Sequence, residues 1–465
     1  MAANAYRATL EQLFQRRRFG IRPGLEVISA LLHELDDPQR SFRSVHVAGS
    51  KGKGSTAAMI AAILNEQTGP VGLFTSPHLQ SFRERIRVGG RTIGRAAVVR
   101  GLARVEEAAQ RLEDRGTIDR PPTFFEATTA LAFAHFAERG VRAAVVEVGI
   151  GGRLDSTNVL DAPVGVITSI ELEHTELLGT TLAAIAGEKA GILHRGMRAV
   201  SGVEGGEART AIDRAAAVAG VPVWHLDEEI EVANRAVTPS GQTLDVRTPA
   251  GAMPELEVPL HGLVQAGNAG LAVAGAQLFA EAIGFTLSLA SVRRGLGRVR
   301  WRGRLELVER RPELFVDVAH TPGSMRALAH ALGELRPMAP PEESAIVFGC
   351  LREKRVAEML EALSPLAKTL IAVPVRSERS ATAAEVRRVA TGRFSRVCET
   401  PSLVQALTLA RAATGPDGYA LVVGSDYLVG EALDLIDGAT DDEPDLSDPG
   451  TAGTVPGNGR GTAEP

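Results

Sequence analysis

Short hydrophobic runs alternate with longer helical patterns along most of the chain. Ala- and Leu-rich helical segments lie at 55–64 and 125–138 in the first half. Between and around them, runs rich in β-branched residues predict strands at 44–48, 71–75, 143–148 and 164–169. Continuous hydrophobic runs are typical of strands buried on both faces, and their alternation with helices predicts a mostly parallel α/β sheet.

The same alternation starts again after an Arg-rich stretch at 293–304. Further strands are predicted at 314–319, 345–349, 370–375 and 419–424. A chain of 465 residues is usually too long for one hydrophobic core, so we expect two domains, at 1–296 and 297–437. Residues 438–465 have almost no large apolar side chains, and we expect them to form a disordered tail.

Composition narrows the classes of protein that fit. Hydrophobic residues make up 44% and charged residues 23%, and the net charge of −5 argues against binding nucleic acid through overall positive charge. We see no apolar run of the roughly 20 residues that cross a bilayer and no secretory signal, so we expect no membrane partner. Only two cysteines, Cys350 and Cys398, are present, which suits a reducing cytoplasm.

A glycine-rich turn after the first predicted strand is the sharpest local pattern. It consists of Gly49, Ser50, Lys51, Gly52, Lys53, Gly54, Ser55 and Thr56. Glycines let backbone N–H groups approach phosphate oxygens, Lys53 supplies a charge for the β- and γ-phosphates, and Ser55 or Thr56 a hydroxyl near Mg²⁺. The glycine spacing is shorter than in the general P-loop pattern, so a turn that binds nothing remains the alternative.

Polar residues follow other predicted strands of the first domain. Ser76, Glu147 and His174 come just after three of them, and Lys189 lies a helix-length further on. Because ligands collect at the carboxyl ends of strands in open α/β sheets, we expect these groups to converge on the glycine-rich turn. A hydroxyl, a carboxylate and an imidazole are compatible with a Mg²⁺ site. Taken singly, each is more often an ordinary solvated or buried residue.

A second polar pair ends a strand of the second domain. Asp317 could hold a ribose hydroxyl, and His320 could contact nucleotide or phosphate. The alternative is a strand-terminating turn in which Asp and Pro have their usual roles.

Taken in order, these segments resemble the Mur ligase superfamily, and most closely its folylpolyglutamate synthase/dihydrofolate synthase branch. The similarity extends from about residue 25 to 435. It rests on the glycine-rich turn, TSPHL at 75–79, TFFE at 123–126, EVGIGGRLDSTN at 147–158, IAGEKAGI at 185–192, GLVQAGN at 262–268, WRGR at 301–304, DVAHTP at 317–322 and GSDYLVG at 424–430.

The resemblance implies a fold and an activity. The fold is a P-loop-containing, mostly parallel sheet domain followed by a smaller Rossmann-like α/β domain. The activity is ATP-dependent addition of L-glutamate to a folate, to dihydropteroate or to both, through an acyl phosphate. It also implies a cytoplasmic monomer.

The resemblance assigns roles to individual residues. Its catalytic set is Lys53, Glu147, His174 and Lys189. Ser76 and Glu147 would bind one Mg²⁺ and His174 a second, and Lys189 corresponds to a lysine that relatives carry as a carbamate. The residues implied to bind or adjoin the nucleotide, besides the glycine-rich turn, are Gln265, Asn268, Arg304, Asp317 and His320.

The chain departs from the family pattern at several positions. Lys51 replaces an asparagine, Glu173 an aspartate and Val264 a histidine, while Val318 and Thr321 change DGAHNP to DVAHTP. The last form is closer to ligases of peptidoglycan precursors. These changes leave open a related amide ligase acting on another carboxylate, or an ATP-binding protein without ligase activity.

Overall fold

The hydrophobic runs of the first half form the centre of an eight-stranded sheet. The computed structural model describes residues 2–16, 20 and 22–438. The sheet order is β4-β3-β2-β5-β1-β6-β7-β8, parallel except at β3 and β4. The strands are β1 Arg43–Ala48, β2 Gly72–Phe74, β3 Ile86–Val88, β4 Arg91–Thr92, β5 Ala143–Glu147, β6 Val164–Ile167, β7 Arg198–Ser201 and β8 Val223–His225.

Helices cover both faces of this sheet, because alternate strand residues point to opposite sides. On β5, Ala144 and Val146 pack into one core, and Ala143 and Val145 into the other. The helices are α1 Ala2–Gln15, α2 Glu26–Glu34, α3 Lys53–Thr68, α4 Arg95–Asp114, α5 Phe124–Glu138, α6 Thr175–Leu178, α7 Leu182–Lys189, α8 Glu207–Ala219, α9 Leu263–Ala282 and α10 Leu289–Gly297.

A small antiparallel sheet, which the sequence analysis did not predict, lies between α8 and α9. Its strands are β9 Glu231–Thr238, β10 Gly241–Thr248 and β11 Gly251–Val258, in the order β11-β10-β9. Only one face is apolar, with Leu244 and Leu256 fully buried in the same core as α9. The charged residues between the apolar ones break the continuous runs that identified the parallel strands.

The second half forms a six-stranded sheet in the order β12-β13-β17-β14-β15-β16, parallel except at β12. Its strands are β12 Glu306–Arg310, β13 Glu313–Asp317, β14 Ala345–Phe348, β15 Thr369–Ala372, β16 Arg396–Glu399 and β17 Tyr419–Val423. Its helices are α11 Pro322–Leu335, α12 Val356–Leu363, α13 Ala383–Ala390, α14 Leu403–Ala413 and α15 Asp426–Asp437. The predicted α/β fold class is confirmed in both halves of the chain.

Two expectations from the sequence, on membrane-spanning runs and on the C-terminal tail, were not confirmed. Among the described residues, α9 is long and apolar enough to cross a membrane, so the expectation that no such run exists was wrong. Of its apolar window, 83% is buried inside the protein, where α9 packs against α3, β6 and β7. Such burial is typical of a core helix. The tail expected at 438–465 lies outside the described residues, apart from Gly438 after α15.

Candidate active site

The carboxyl ends of strands from both large sheets face one cleft. Its volume is about 2720 Å³. The cleft is lined by most of the residues singled out in the sequence: Ser50, Lys51, Gly52, Lys53, Gly54, Ser55, Ser76, Glu147, His174, Gln265, Asn268, Arg304, Asp317 and His320. Three others do not line it. Gly49, Thr56 and Lys189 lie behind the cleft wall. The convergence predicted from strand ends is therefore present.

The glycine-rich turn connects β1 to α3 and carries the lysine expected at phosphates. Gly49 has φ 145°, and a Cβ there would overlap the Thr168 hydroxyl, so a larger residue does not fit. Gly52, with φ 84°, places the first turn of α3 at the cleft. The Lys53 ammonium donates to the carbonyls of Gly49 at 2.9 Å and Ser50 at 3.3 Å. The turn thus presents a helix N-terminus and a fixed positive charge, a combination that suits anionic phosphate.

Glu147 ends β5 beside this turn. Its side chain is buried, and one oxygen accepts a hydrogen bond from the Ser76 backbone N–H at 3.0 Å. Burial raises the pKa of Glu147 to about 7, and the charge of Lys53 is the largest opposing influence. A nearby cation stabilises the ionised form of such a buried carboxylate, because it offsets the cost of burying the charge.

A second polar cluster consists of Lys51, Glu173 and Lys189. The Lys189 ammonium donates to the carbonyl of Gly49 at 2.9 Å and to Glu173 Oε1 at 3.0 Å. Burial, followed by the charge of Lys53, lowers the pKa of Lys189 to about 8. Burial would raise the pKa of Glu173, but the neighbouring lysines lower it to about 2. The sequence placed Glu173 beside His174 beyond the strand at 164–169 and marked it as a departure from the family pattern, but it assigned no role to Glu173.

His174 precedes α6 and has a left-handed backbone, with φ 49°. Burial is the main reason that its pKa falls to about 4, so the imidazole is neutral at neutral pH and able to act as a ligand. Within the described ranges, no group of three or more His, Cys, Asp or Glu side chains could hold a metal ion. A cation here would have few protein ligands. Mg²⁺ is commonly bound in this way, through one or two carboxylates, water and substrate phosphates.

The EVGIGGRLDSTN segment explains how Lys189 is brought to the sheet. The Arg153 backbone N–H donates to the Glu188 carbonyl at 2.9 Å, and Asn158 Nδ2 donates to the Gly191 carbonyl at 3.2 Å. These bonds fasten the end of α7 to the loop that follows β5. Gly152 lies against the same helix, where a Cβ would come within 2.7 Å of the backbone oxygens of Glu188 and Lys189.

We expect Gly152→Ala to displace the end of α7 and to lower the free energy of unfolding by about 2 kcal/mol, in the range of core overpacking. Urea unfolding measures the loss, and any activity that depends on the position of Lys189 should fall with it. Gly187→Ala is the matched control: a Cβ at Gly187 meets nothing within 4 Å. An equal loss in the control would contradict this account.

The second domain contributes Arg304, Asp317 and His320. Asp317 accepts backbone N–H groups from Leu305 at 2.8 Å and Ala319 at 2.7 Å, which fix the turn after β13. Burial raises the pKa of Asp317, and the Arg304 charge opposes this shift as it does at Glu147. Arg304 is therefore within electrostatic reach of carboxylates from both halves of the cleft.

Gln265 and Asn268 come from the first turns of α9 in the first half. Asn268 Nδ2 donates to Gln265 Oε1 at 3.1 Å, and both side chains are buried. A Cβ at Gly52 would come within 2.5 Å of Asn268 Oδ1, so the asparagine packs directly on the glycine-rich turn.

Lysine usage is a further mark of the cleft that the sequence reasoning missed. The chain has only five lysines, and all other basic side chains apart from histidine are arginine. Lys51, Lys53 and Lys354 line the cleft, and Lys189 lies directly behind it. Burial and the charge of Lys51 lower the pKa of Lys354. The scarcity of lysine would have drawn attention to Lys354, but equally to Lys368, which does not line the cleft.

Comparison with known proteins shows which family this chain belongs to. Residues 47–276 match the Mur ligase middle domain, and residues 303–426 match the Mur ligase glutamate ligase domain. The chain is 34% identical over 367 residues to the dihydrofolate synthase/folylpolyglutamate synthase of Bacillus subtilis, covering 79% of this chain and 84% of that protein. The chain belongs to the folylpolyglutamate synthase family.

Two further proteins of known name are similar to this chain. A solved structure of Mycobacterium tuberculosis folylpolyglutamate synthase, complexed with ADP, superimposes with a TM-score of 0.86 at 34% identity. The match covers 93% of this chain and 99% of that one. A probable bifunctional folylpolyglutamate synthase/dihydropteroate synthase of Haloferax volcanii is 36% identical over 444 residues. The match covers 92% of this chain but only half of the Haloferax protein. The family resemblance seen in the sequence, and the ATP-dependent ligase class that it implied, are confirmed.

Proposed function

We propose that this folylpolyglutamate synthase family member adds L-glutamate to a folate, to dihydropteroate or to both. The observation that carries the proposal is one cleft in which Lys53 and Glu147 of the first sheet face Arg304 and Asp317 of the second. The terminal phosphoryl group of ATP passes to the substrate carboxylate, giving ADP and an acyl phosphate. The amine of glutamate then attacks the acyl carbon, phosphate leaves, and an amide forms with loss of a proton.

The protein's own groups account for the electrostatics of this reaction. The backbone N–H groups of the turn and the Lys53 ammonium offset charge on the transferring phosphoryl group, and Arg304 adds positive charge from the second domain. Because an acyl phosphate hydrolyses in water, a site between two domains also protects it. The glutamate amine must lose its proton to become nucleophilic and must be held close to the acyl carbon.

Mg²⁺ fits the residues at the end of β5 and beyond β6. Ser76 and Glu147 would hold one ion and His174 a second. The fit rests on Glu147, a buried carboxylate with a pKa raised to about 7, which a cation would keep ionised. Bound Mg²⁺ neutralises phosphate charge. The number of ions, two, is part of the proposal.

Lys189 has the properties that a carbamylated lysine requires. Its pKa of about 8 leaves a neutral fraction whose amine can bond to the carbon of CO₂ and release a proton, forming an anionic carbamate. Lys51, Lys53 and Lys189 all lower the pKa of Glu173, so three positive charges lie close to this carboxylate. A carbamate at Lys189 would reduce that excess of positive charge.

We expect Lys189→Ala to reduce ligation at least about tenfold, and added formate or acetate to restore part of the rate, since a small carboxylate can replace the lost anion. Steady-state ADP release measures both effects. Lys189→Arg, which cannot form a carbamate, is the control that the acids should not rescue. An unaffected Lys189→Ala enzyme would refute the carbamate.

A two-substrate assay tests the function itself. Purified protein receives ATP, Mg²⁺ and glutamate with either tetrahydrofolate or dihydropteroate, and ADP release and product mass are recorded. A mass increase of one or more glutamyl units on either substrate supports the proposal. Turnover on neither, with ATP still bound, would favour a different carboxylate substrate.

Three accompanying assignments belong to the same proposal. The division into domains at 296 and 297 is supported by the separate sheets and by the end of α10 at Gly297. The free thiols of Cys350 and Cys398 support a cytoplasmic location. We also propose a monomer, which light scattering of the purified chain can test.

A further inference from the structure

Lys51 lies in the glycine-rich turn, and its backbone is held by three hydrogen bonds to two adjacent residues. Its N–H donates to Ser169 Oγ at 3.0 Å, while its carbonyl accepts from the hydroxyls of Thr168 at 2.6 Å and Ser169 at 3.1 Å. The Cα of Lys51 is thus fixed relative to the end of β6. The fold of the first domain therefore fixes the point from which the Lys51 side chain enters the cleft.

The side chain reaches across the cleft to the second domain. Lys51 Nζ lies 3.4 Å from His320 Nε2. His320 Nδ1 lies 2.9 Å from the Val318 carbonyl, and since a carbonyl only accepts, Nδ1 carries the proton and Nε2 is the acceptor that faces Lys51. This hydrogen bond joins the glycine-rich turn to the turn between β13 and α11.

The same ammonium also faces Glu173. Lys51 Nζ lies 3.6 Å from Glu173 Oε2, and the other oxygen of Glu173 accepts from Lys189 at 3.0 Å. A chain of polar contacts therefore runs from buried Lys189 through Glu173 and Lys51 to His320. The asparagine of the family pattern is shorter and uncharged, and it could not make the same contacts with Glu173 and His320.

We propose that Lys51 is a positioning residue that couples phosphate in the glycine-rich turn to the placement of the second domain through His320. The Lys51 ammonium has three N–H donors, so a phosphate oxygen can accept from the third while the contacts with Glu173 and His320 are kept. The strength of the Lys51–His320 contact then depends on the nucleotide, and the orientation of the second domain depends on it too. The inference deepens the proposed ligase function and rests on it.

A double-mutant cycle on nucleotide binding tests the coupling. Isothermal titration with ADP and with a non-hydrolysable ATP analogue, each with Mg²⁺, compares wild type, K51N, H320N and the double variant. We expect each single change to weaken binding of the ATP analogue about 5–10-fold, and the double variant to bind no more weakly than the weaker single one. K51R should stay within about threefold of wild type. The proposal would be overturned if the fold losses of the two single variants multiplied in the double variant, or if K51N bound the ATP analogue like wild type.

A distance measurement separates coupling from simple phosphate contact. Spin labels at Val218→Cys and Met338→Cys, two highly exposed positions on different domains, report domain placement in a Cys398→Ser background. The ATP analogue should change the distance distribution in wild type and in the control K368N, but much less in K51N. An equal change in K51N would contradict the coupling. Lys51→Met serves as a second variant, and melting temperatures show that each protein is folded.

These readouts distinguish failure of the inference from failure of the proposed function. Both use nucleotide alone, so they do not depend on the folate substrate. A wild-type protein that ligates no folate but shows the cycle would overturn the function and retain the coupling. A protein that ligates folate but shows no coupling between Lys51 and His320 in the double-mutant cycle would overturn the coupling and retain the function.

Discussion

Lys53→Ala should reduce kcat/KM for ATP-dependent ligation by about 10²–10³-fold without unfolding the protein. The Lys53 ammonium donates to the two carbonyls that begin the glycine-rich turn, at 2.9 and 3.3 Å, so it holds the shape of the turn and places a positive charge where phosphate would bind. Removing one fixed charge from a site that stabilises a transition state lowers the rate by a factor of this size. A second consequence follows at Glu147. Lys53 is the largest influence that holds down the pKa of Glu147, so its removal favours the protonated carboxyl.

Steady-state ADP release measures the loss, and a melting curve shows that the fold is intact. Lys368→Ala is the matched control, since Lys368 is the one lysine that neither lines the cleft nor contacts the turn within the described residues. A Lys53→Ala enzyme within twofold of wild type would remove Lys53 from the reaction.

Glu147→Gln should abolish ligation to a similar degree and yet make the metal-free protein more stable at pH 8. The pKa of Glu147 is about 7 in the folded state and near 4.5 when unfolded. The folded state therefore binds the proton more tightly, and the wild type loses stability as the pH rises from about 4.5 to 7. The full loss is about 3 kcal/mol. Glutamine keeps the acceptor for the Ser76 N–H but carries no charge, so it avoids this loss.

Urea unfolding in EDTA at pH 5.5 and pH 8 measures the difference between the two proteins. Mg²⁺ with ADP should then stabilise the wild type more than the variant, because a charged carboxylate binds the cation more strongly than a neutral amide oxygen does. Glu361→Gln, an exposed position outside the cleft, should change neither activity nor the pH profile. A Glu147→Gln protein that is less stable than wild type at pH 8 would contradict the assigned burial cost.

The parts of the fold that were predictable are those whose signals are local. The four strands that end at the first half of the cleft appear as continuous apolar runs because both of their faces are buried, and the structure places all four within about two residues. The antiparallel sheet β9–β11 was missed because only one face is buried, so its apolar residues alternate with charged ones. The sequence analysis also missed α9, although its length and hydropathy mark it as a long apolar helix.

The candidate site divides in the same way. Local sequence identified the glycine-rich turn, and Ser76, Glu147 and His174 at strand ends. It could not show that Lys189 lies behind the cleft wall, since that depends on how the loop after Gly152 fastens α7. Glu173 was read as a substitution, yet it pairs with two lysines distant in sequence.

By itself the sequence determined that this protein has two α/β units, a glycine-rich turn after the first strand and a family resemblance that the comparisons confirm. These features follow from hydrophobic periodicity and from residues within a few positions of one another. Only the tertiary structure decided which charges meet. Lys51 and His320 are 269 residues apart and come within 3.4 Å because two separate sheets place their strand ends at one cleft. A contact of this kind depends on the packing of whole domains, for which no short stretch of sequence carries a signal.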